Sequence, residues 1–115
     1  MKKIDIYVRE EWLSDISEIL VNHGVGGMTL TNIRGKGKNP HDPVPEVVHS
    51  YMTGRHLTPE FVAGLKIEAI VTDTKVKPIV DDLSKLDIKR GKVIVHDIHE
   101  AYDLSKKTSG ENAVD

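Results

Sequence analysis

Cysteine is absent from the 115 residues, which excludes disulfides, thiolate nucleophiles and thiolate-ligated metals and gives no sign of an oxidising compartment. Aromatic residues are scarce, at three tyrosines, one tryptophan and one phenylalanine, so a sheet that stacks RNA bases has only Tyr7 to offer. No apolar run approaches a membrane span, and Met1-Lys2-Lys3-Ile4-Asp5 enters a strand pattern without the apolar core of a signal peptide. A cytoplasmic location is the expectation. Charge of one sign is not in excess either. A formal net charge of −2 provides no broad basic face for a nucleic-acid backbone, so any anion site must be local.

What is present is 38% hydrophobic and 30% charged residues, enough for one core; residues 1–115 read as a single domain, because two cores would each be marginal at this length. Ile4, Ile6 and Val8 alternate with Lys3, Asp5 and Tyr7, which predicts a strand over 2–8. Trp12, Leu13, Ile16, Ile19 and Leu20 fall at helical spacing over 11–23, with acids in the first turn and Gly24 as the stop. Strands are predicted over 28–34, 65–71 and 93–98. A second helical stripe, Val76, Ile79, Val80, Leu83 and Leu86, begins near Lys75, with Pro78 in its first turn or at a kink. The order β-α-β, loop, β-α-β is the ferredoxin-like α+β arrangement, a βαββαβ sandwich with both helices on one face of an antiparallel sheet.

The segment 37–63 fits neither period. Prolines at 40, 43, 45 and 59 punctuate it, and residues 38–62 are expected to be poorly ordered until a ligand or partner engages them.

Four stretches carry a resemblance. The opening "MKKIDIYVREEWLSDISEILVNHGVGGMTLTNIRGKG" resembles, without a gap, the start of the PII signal-transduction proteins. "GLKIEAIVTD" and "GKVIVHDI" are similar to that family's third and fourth strands, and "TSGENAVD" to its C-terminal ending. The resemblance implies a homotrimer that performs no catalysis. It further implies adenine nucleotides, ATP, ADP or AMP, in clefts between subunits, and a long T-loop, here about 37–63, that contacts a membrane transporter or metabolic enzyme. No nucleic-acid partner is implied.

Carried over residue by residue, the family pattern places Met28 and Thr29 on the nucleotide-facing strand and Gly35, Gly37 and Lys38 at the base of the T-loop, where glycine lets backbone approach a ligand. Asn39-Pro40 stands where nitrogen-sensing members carry glutamine, so a magnesium site and a 2-oxoglutarate site are both left open. The phosphate-cradling "TGKIGDGKI" is replaced by "KLDIKRGKV", leaving Arg90, Gly91 and Lys92 as a reduced but more cationic cradle; a solvated turn is the plain alternative. Lys106 and Lys107 replace the family's C-terminal arginines, and a point charge discriminates phosphate number less than a planar fork does. His49, Tyr51 and Arg55 are the candidate partner contacts of the T-loop, a C-terminal loop spans about 100–115, and uridylylation of Tyr51 is not predicted, its context being SYMTGR and not the Y-R-G of enteric relatives.

His41, His49 and His56 match no compact metal-ligand spacing, so no metal residue is assigned. The trimeric CutA-like metal-binding proteins share the fold and remain the alternative class. A small acylphosphatase-type enzyme is a more remote one, with Arg9 its sole candidate cradle residue. His96 and His99 read as hydrogen-bonded structural residues at a strand end, and Asp81 and Asp82 as a solvated helix face.

Overall fold

In chain order the elements are β1 (Lys2–Val8), α1 (Leu13–Asn22), β2 (Thr29–Gly35), β3 (Val48–His49), β4 (His56–Leu57), β5 (Val62–Val71), α2 (Asp73–Ser84), β6 (Lys92–Asp97), β7 (Tyr102–Asp103) and β8 (Thr108–Ser109). The computed structural model describes residues 1–36, 48–49, 56–57 and 61–114, with backbone only at 48–49 and 56–57. The long strands form one antiparallel sheet in the order β2-β5-β1-β6. With α1 and α2, this is the expected ferredoxin-like α+β arrangement.

The alternation in β1 decides which face is covered. Ile4, Ile6 and Val8 join Ile67 and Val71 of β5 and Ile16, Leu20, Ile79 and Leu83 of the helices in one buried cluster. Directly paired residues of antiparallel strands share a face. Lys3, Asp5 and Tyr7 therefore share the helix-free face with His96, Ile94 and Lys92 on one side and with Ile70, Glu68 and Lys66 on the other. Thr29, Thr31 and Ile33 extend that face across β2 through their pairing with Glu68, Lys66 and Gly64.

The helix boundaries differ from the pattern in instructive ways. Glu10–Trp12 form a separate 3-10 turn, with the Trp12 amide donating to the Arg9 carbonyl at 3.1 Å, so α1 starts at Leu13. Gly24 ends it as expected, in the left-handed region at φ 74° with its amide on the Val21 carbonyl at 2.9 Å. α2 starts at Asp73, after an extended Thr72, which puts Pro78 in the second turn rather than the first.

β5 begins at Val62, taking Val62 and Ala63 from the segment read as loop. Inside that segment, where the sequence shows no strand period, Val48 and His49 pair with Leu57 and His56. The expectation of poor order over 38–62 otherwise falls outside the described residues. The region 100–115, read as a loop, contains the β7–β8 pair and a closing 3-10 turn over Gly110–Ala113.

Candidate ligand-binding clefts

The first cleft lies where the C-terminal ends of β1 and β2 meet the start of β5 and the turn before β6, and encloses about 530 Å³. Ile33, Val62 and Ile94 give it an apolar wall, Tyr7 an aromatic one, and Arg9, Lys36, Arg90 and Lys92 a cationic rim. Gly35, Gly64 and Gly91 line it as well. These three glycines have different reasons. A Cβ on Gly64 would sit 2.9 Å from the Val8 carbonyl oxygen, and one on Gly91 would sit 2.7 Å from Ile88 Cγ2, so close packing demands glycine at both. A Cβ on Gly35 would meet nothing within 4 Å, so the described fold does not explain that glycine.

The second cleft, about 390 Å³, lies at the opposite sheet end among Lys3, Gly26, Gly27, Thr29, Glu68 and Lys106. Asp103 organises its C-terminal side. Its Oδ1 accepts from the Lys106 amide at 3.1 Å, the Ser105 amide at 3.0 Å and the Ser105 hydroxyl at 2.8 Å. The Lys106 amide, then the Ser105 hydroxyl, hold the Asp103 carboxyl below its usual range.

The residues expected to share one nucleotide site are thus divided. Gly35, Arg90, Gly91 and Lys92 line the first cleft, and Thr29 and Lys106 the second. Thr29 and Gly35 are the two ends of β2, about 20 Å apart at strand rise. Met28 packs against the core instead of lining either cleft, and Lys107 stands exposed beside the second, at φ 55°. Gly37, Lys38, Tyr51 and Arg55 lie outside the described residues; His49 is placed by its backbone alone, paired with His56. Tyr7, Arg9 and Lys36 line the first cleft although the sequence did not nominate them for it. The available signal was register, since Tyr7 pairs with Lys92 across β1 and β6.

The helix-free face also holds the most buried charge among the described residues. Asp5 is 2% exposed, its Oδ2 bonded to His96 Nε2 at 2.9 Å and 3.6 Å from Lys3 Nζ. Its Oδ1 is buried without a hydrogen-bond partner among the described residues. His96 is therefore a hydrogen-bonded structural histidine. Across the helices, His23 Nε2 and Asp82 Oδ2 approach to 2.6 Å, so Asp82 is more than a solvated acid. Among the described residues, no group of three or more histidines or acids is placed to hold a metal, and no helix is long and apolar enough to cross a membrane.

A helix-backed antiparallel sheet with a cleft at each end defines a ferredoxin-like α+β protein. The family model for nitrogen regulatory protein P-II matches residues 1–108. The chain is 30% identical to nitrogen regulatory protein P-II 2 of Methanothermobacter thermautotrophicus, over 99% of this chain and 97% of that protein. It is 27% identical to the P-II protein of Nostoc punctiforme over 99% of this chain and all of that protein, and 32% identical to that of Klebsiella oxytoca over 85% and 86%. The chain belongs to the nitrogen regulatory protein P-II family, a family of regulatory signal-transduction proteins.

Proposed function

We propose that this chain is a non-catalytic cytoplasmic sensor. It assembles as a homotrimer, binds ATP, ADP or AMP in clefts between subunits, and passes the bound state to a transporter or metabolic enzyme through residues 37–63. The observation that carries this reading is the division of the site. Arg90 and Lys92 stand at one end of the sheet and Thr29 and Lys106 at the other, so one subunit cannot close both groups on one nucleotide. A second copy, presenting its β2 start and C-terminal turn to the first copy's cationic cleft, completes the site; closed symmetry then gives every subunit the same two contacts.

Each half has suitable chemistry. The first cleft combines apolar and aromatic walls for a base with guanidinium and ammonium groups for phosphates. The second supplies backbone at Gly26 and Gly27, a threonine hydroxyl, and Lys106 held by the Asp103 turn. Titration calorimetry with ATP, ADP and AMP on the intact chain tests the reading: saturable heat with at least one of them is expected, together with a trimer mass by light scattering. A monomer, or no heat with any of the three, would overturn it.

A further inference from the structure

Asp5 and His96 form a hydrogen-bonded pair on the helix-free face, between the two clefts. Tyr7, next to Asp5 on that face, and Ile94, paired with Asp5 across β6, line the first cleft. Lys3, on the other side of Asp5, and Glu68, paired with Asp5 across β5, line the second. Both clefts therefore share residues of one face. When a second copy sets its second cleft against its neighbour's first, the helix-free faces meet and the pair is enclosed.

We infer that His96 makes subunit assembly pH-dependent, neutral in the trimer and protonated in separate chains, which rests on the trimer reading and adds its regulation. It is the one histidine in the four long strands, and histidine is the side chain that ordinarily changes charge between about pH 5 and 8. With a neutral imidazole the charges around it balance. Lys3 lies 3.6 Å from Asp5, Lys66 lies 2.7 Å from Glu68, and Asp103 and Lys106 join Lys3 and Glu68 in the second cleft. Lys92, at the far end of β6, adds a further positive charge. A proton on His96 tips this set further positive, and a second copy repeats the excess because it presents the same face. The His96 side chain is 47% exposed in one chain, so water supports its charge there. A facing subunit removes that water, and burial penalises the charged form. Asp5 Oδ1 is already enclosed, so no group of the facing subunit reaches it to restore the balance.

The test is the urea midpoint for loss of trimer mass by light scattering, at about pH 8 and about pH 5.5, either side of the ordinary imidazole value. Chain concentration and ionic strength are held fixed. The full chain is compared with His96→Gln, which keeps a donor for Asp5 but does not titrate, and with His96→Asn should the first variant not fold. Each proton that assembly excludes lowers the association constant up to about tenfold per pH unit, so three lower it up to about a thousandfold. The parent midpoint should fall at acid pH by more than that of His96→Gln, and the exposed His99→Gln should follow the parent. A pair acting only within one chain gains attraction when His96 is protonated, so the parent would then outlast His96→Gln at acid pH. That result, or an equal fall in both, overturns the inference and leaves the trimer standing. A monomer at about pH 8 without urea overturns the trimer reading itself, so the two failures are distinguishable.

Discussion

Replacing Gly64 by alanine adds one methyl group where β5 passes close to the backbone of β1. The new Cβ would stand 2.9 Å from the Val8 carbonyl oxygen, a backbone atom that no rotamer change can remove, and 3.8 Å from Ile33 Cγ1. Ordinary contact begins about half an ångström further out, so β1 and β5 must separate locally. They do so within the ladder where Val8 pairs with Leu65. Overpacking of this kind costs about 1–3 kcal/mol, which is roughly a 5- to 150-fold change in the folding equilibrium. The matched control is Gly35→Ala, whose Cβ meets nothing within 4 Å and whose effect on folding should stay within about 0.5 kcal/mol. Trp12, the chain's one tryptophan, is packed against the core and reports unfolding in urea at a fixed chain concentration. Nucleotide affinity should order the pair the other way, since Gly35 is the glycine left for ligand approach. A Gly64→Ala variant as stable as the parent, or a Gly35→Ala variant as unstable as Gly64→Ala, would refute the reasoning.

Three further outcomes are expected. The Asp82 carboxyl is lowered first by its hydrogen bond to His23 and then by Lys85, so its contribution is complete above the ordinary carboxylate value of about 3.9 and is lost as pH falls through the lowered folded value; stability curves of parent and Asp82→Asn should converge at acid pH, and a gap that widens there would contradict this. His96→Ala removes the 2.9 Å partner of a carboxylate that is 2% exposed and should cost about 1–3 kcal/mol, most of it recovered by adding Asp5→Asn; a urea double-mutant cycle without such coupling would count against the pair. Deleting residues 41–58 should abolish capture of the regulated partner while leaving trimer mass and nucleotide affinity in place, as light scattering and calorimetry would show.

The sequence made the core legible because burial has a period. Ile4, Ile6 and Val8 on every second position, and Ile16 with Leu20 and Ile79 with Leu83 four apart, lie in one cluster as the pattern requires. What it concealed depends on tertiary pairing. Ala63 and Gly64 are weak strand formers, yet Arg34 and Ile33 of β2 hold them in the ladder. Trp12 sits at helical spacing but its amide closes a 3-10 turn on Arg9. Asp5 alternates like a surface residue and is nearly inaccessible, because Lys3 and His96 come together over it only once β6 pairs with β1.

The candidate site divides along the same line. Motif resemblance identified Arg90, Gly91 and Lys92 with Gly35, and the structure gathers these four around one cleft. The nucleotide-site residues carried over from the family pattern include none of Tyr7, Arg9 and Lys36, whose place follows from where three strands end together. Nor does spacing reveal that Thr29 and Gly35, six residues apart in one strand, belong to clefts at opposite ends of the sheet.

Subunit mixing tests most directly whether the site is shared between copies. One variant carries Arg90→Ala with Lys92→Ala, disabling the first cleft; the other carries Lys106→Ala with Lys107→Ala, disabling the C-terminal side of the second. Neither homotrimer should bind nucleotide at full affinity. If each site takes its first cleft from one subunit and its second from the neighbour, co-assembly at equal amounts restores about a quarter of the sites to parental affinity, the fraction that cyclic symmetry leaves with both halves intact. Calorimetric stoichiometry near that value is the predicted result. Mixed trimers with no recovered high-affinity sites would contradict the account, because every subunit would then be supplying both halves of its own site.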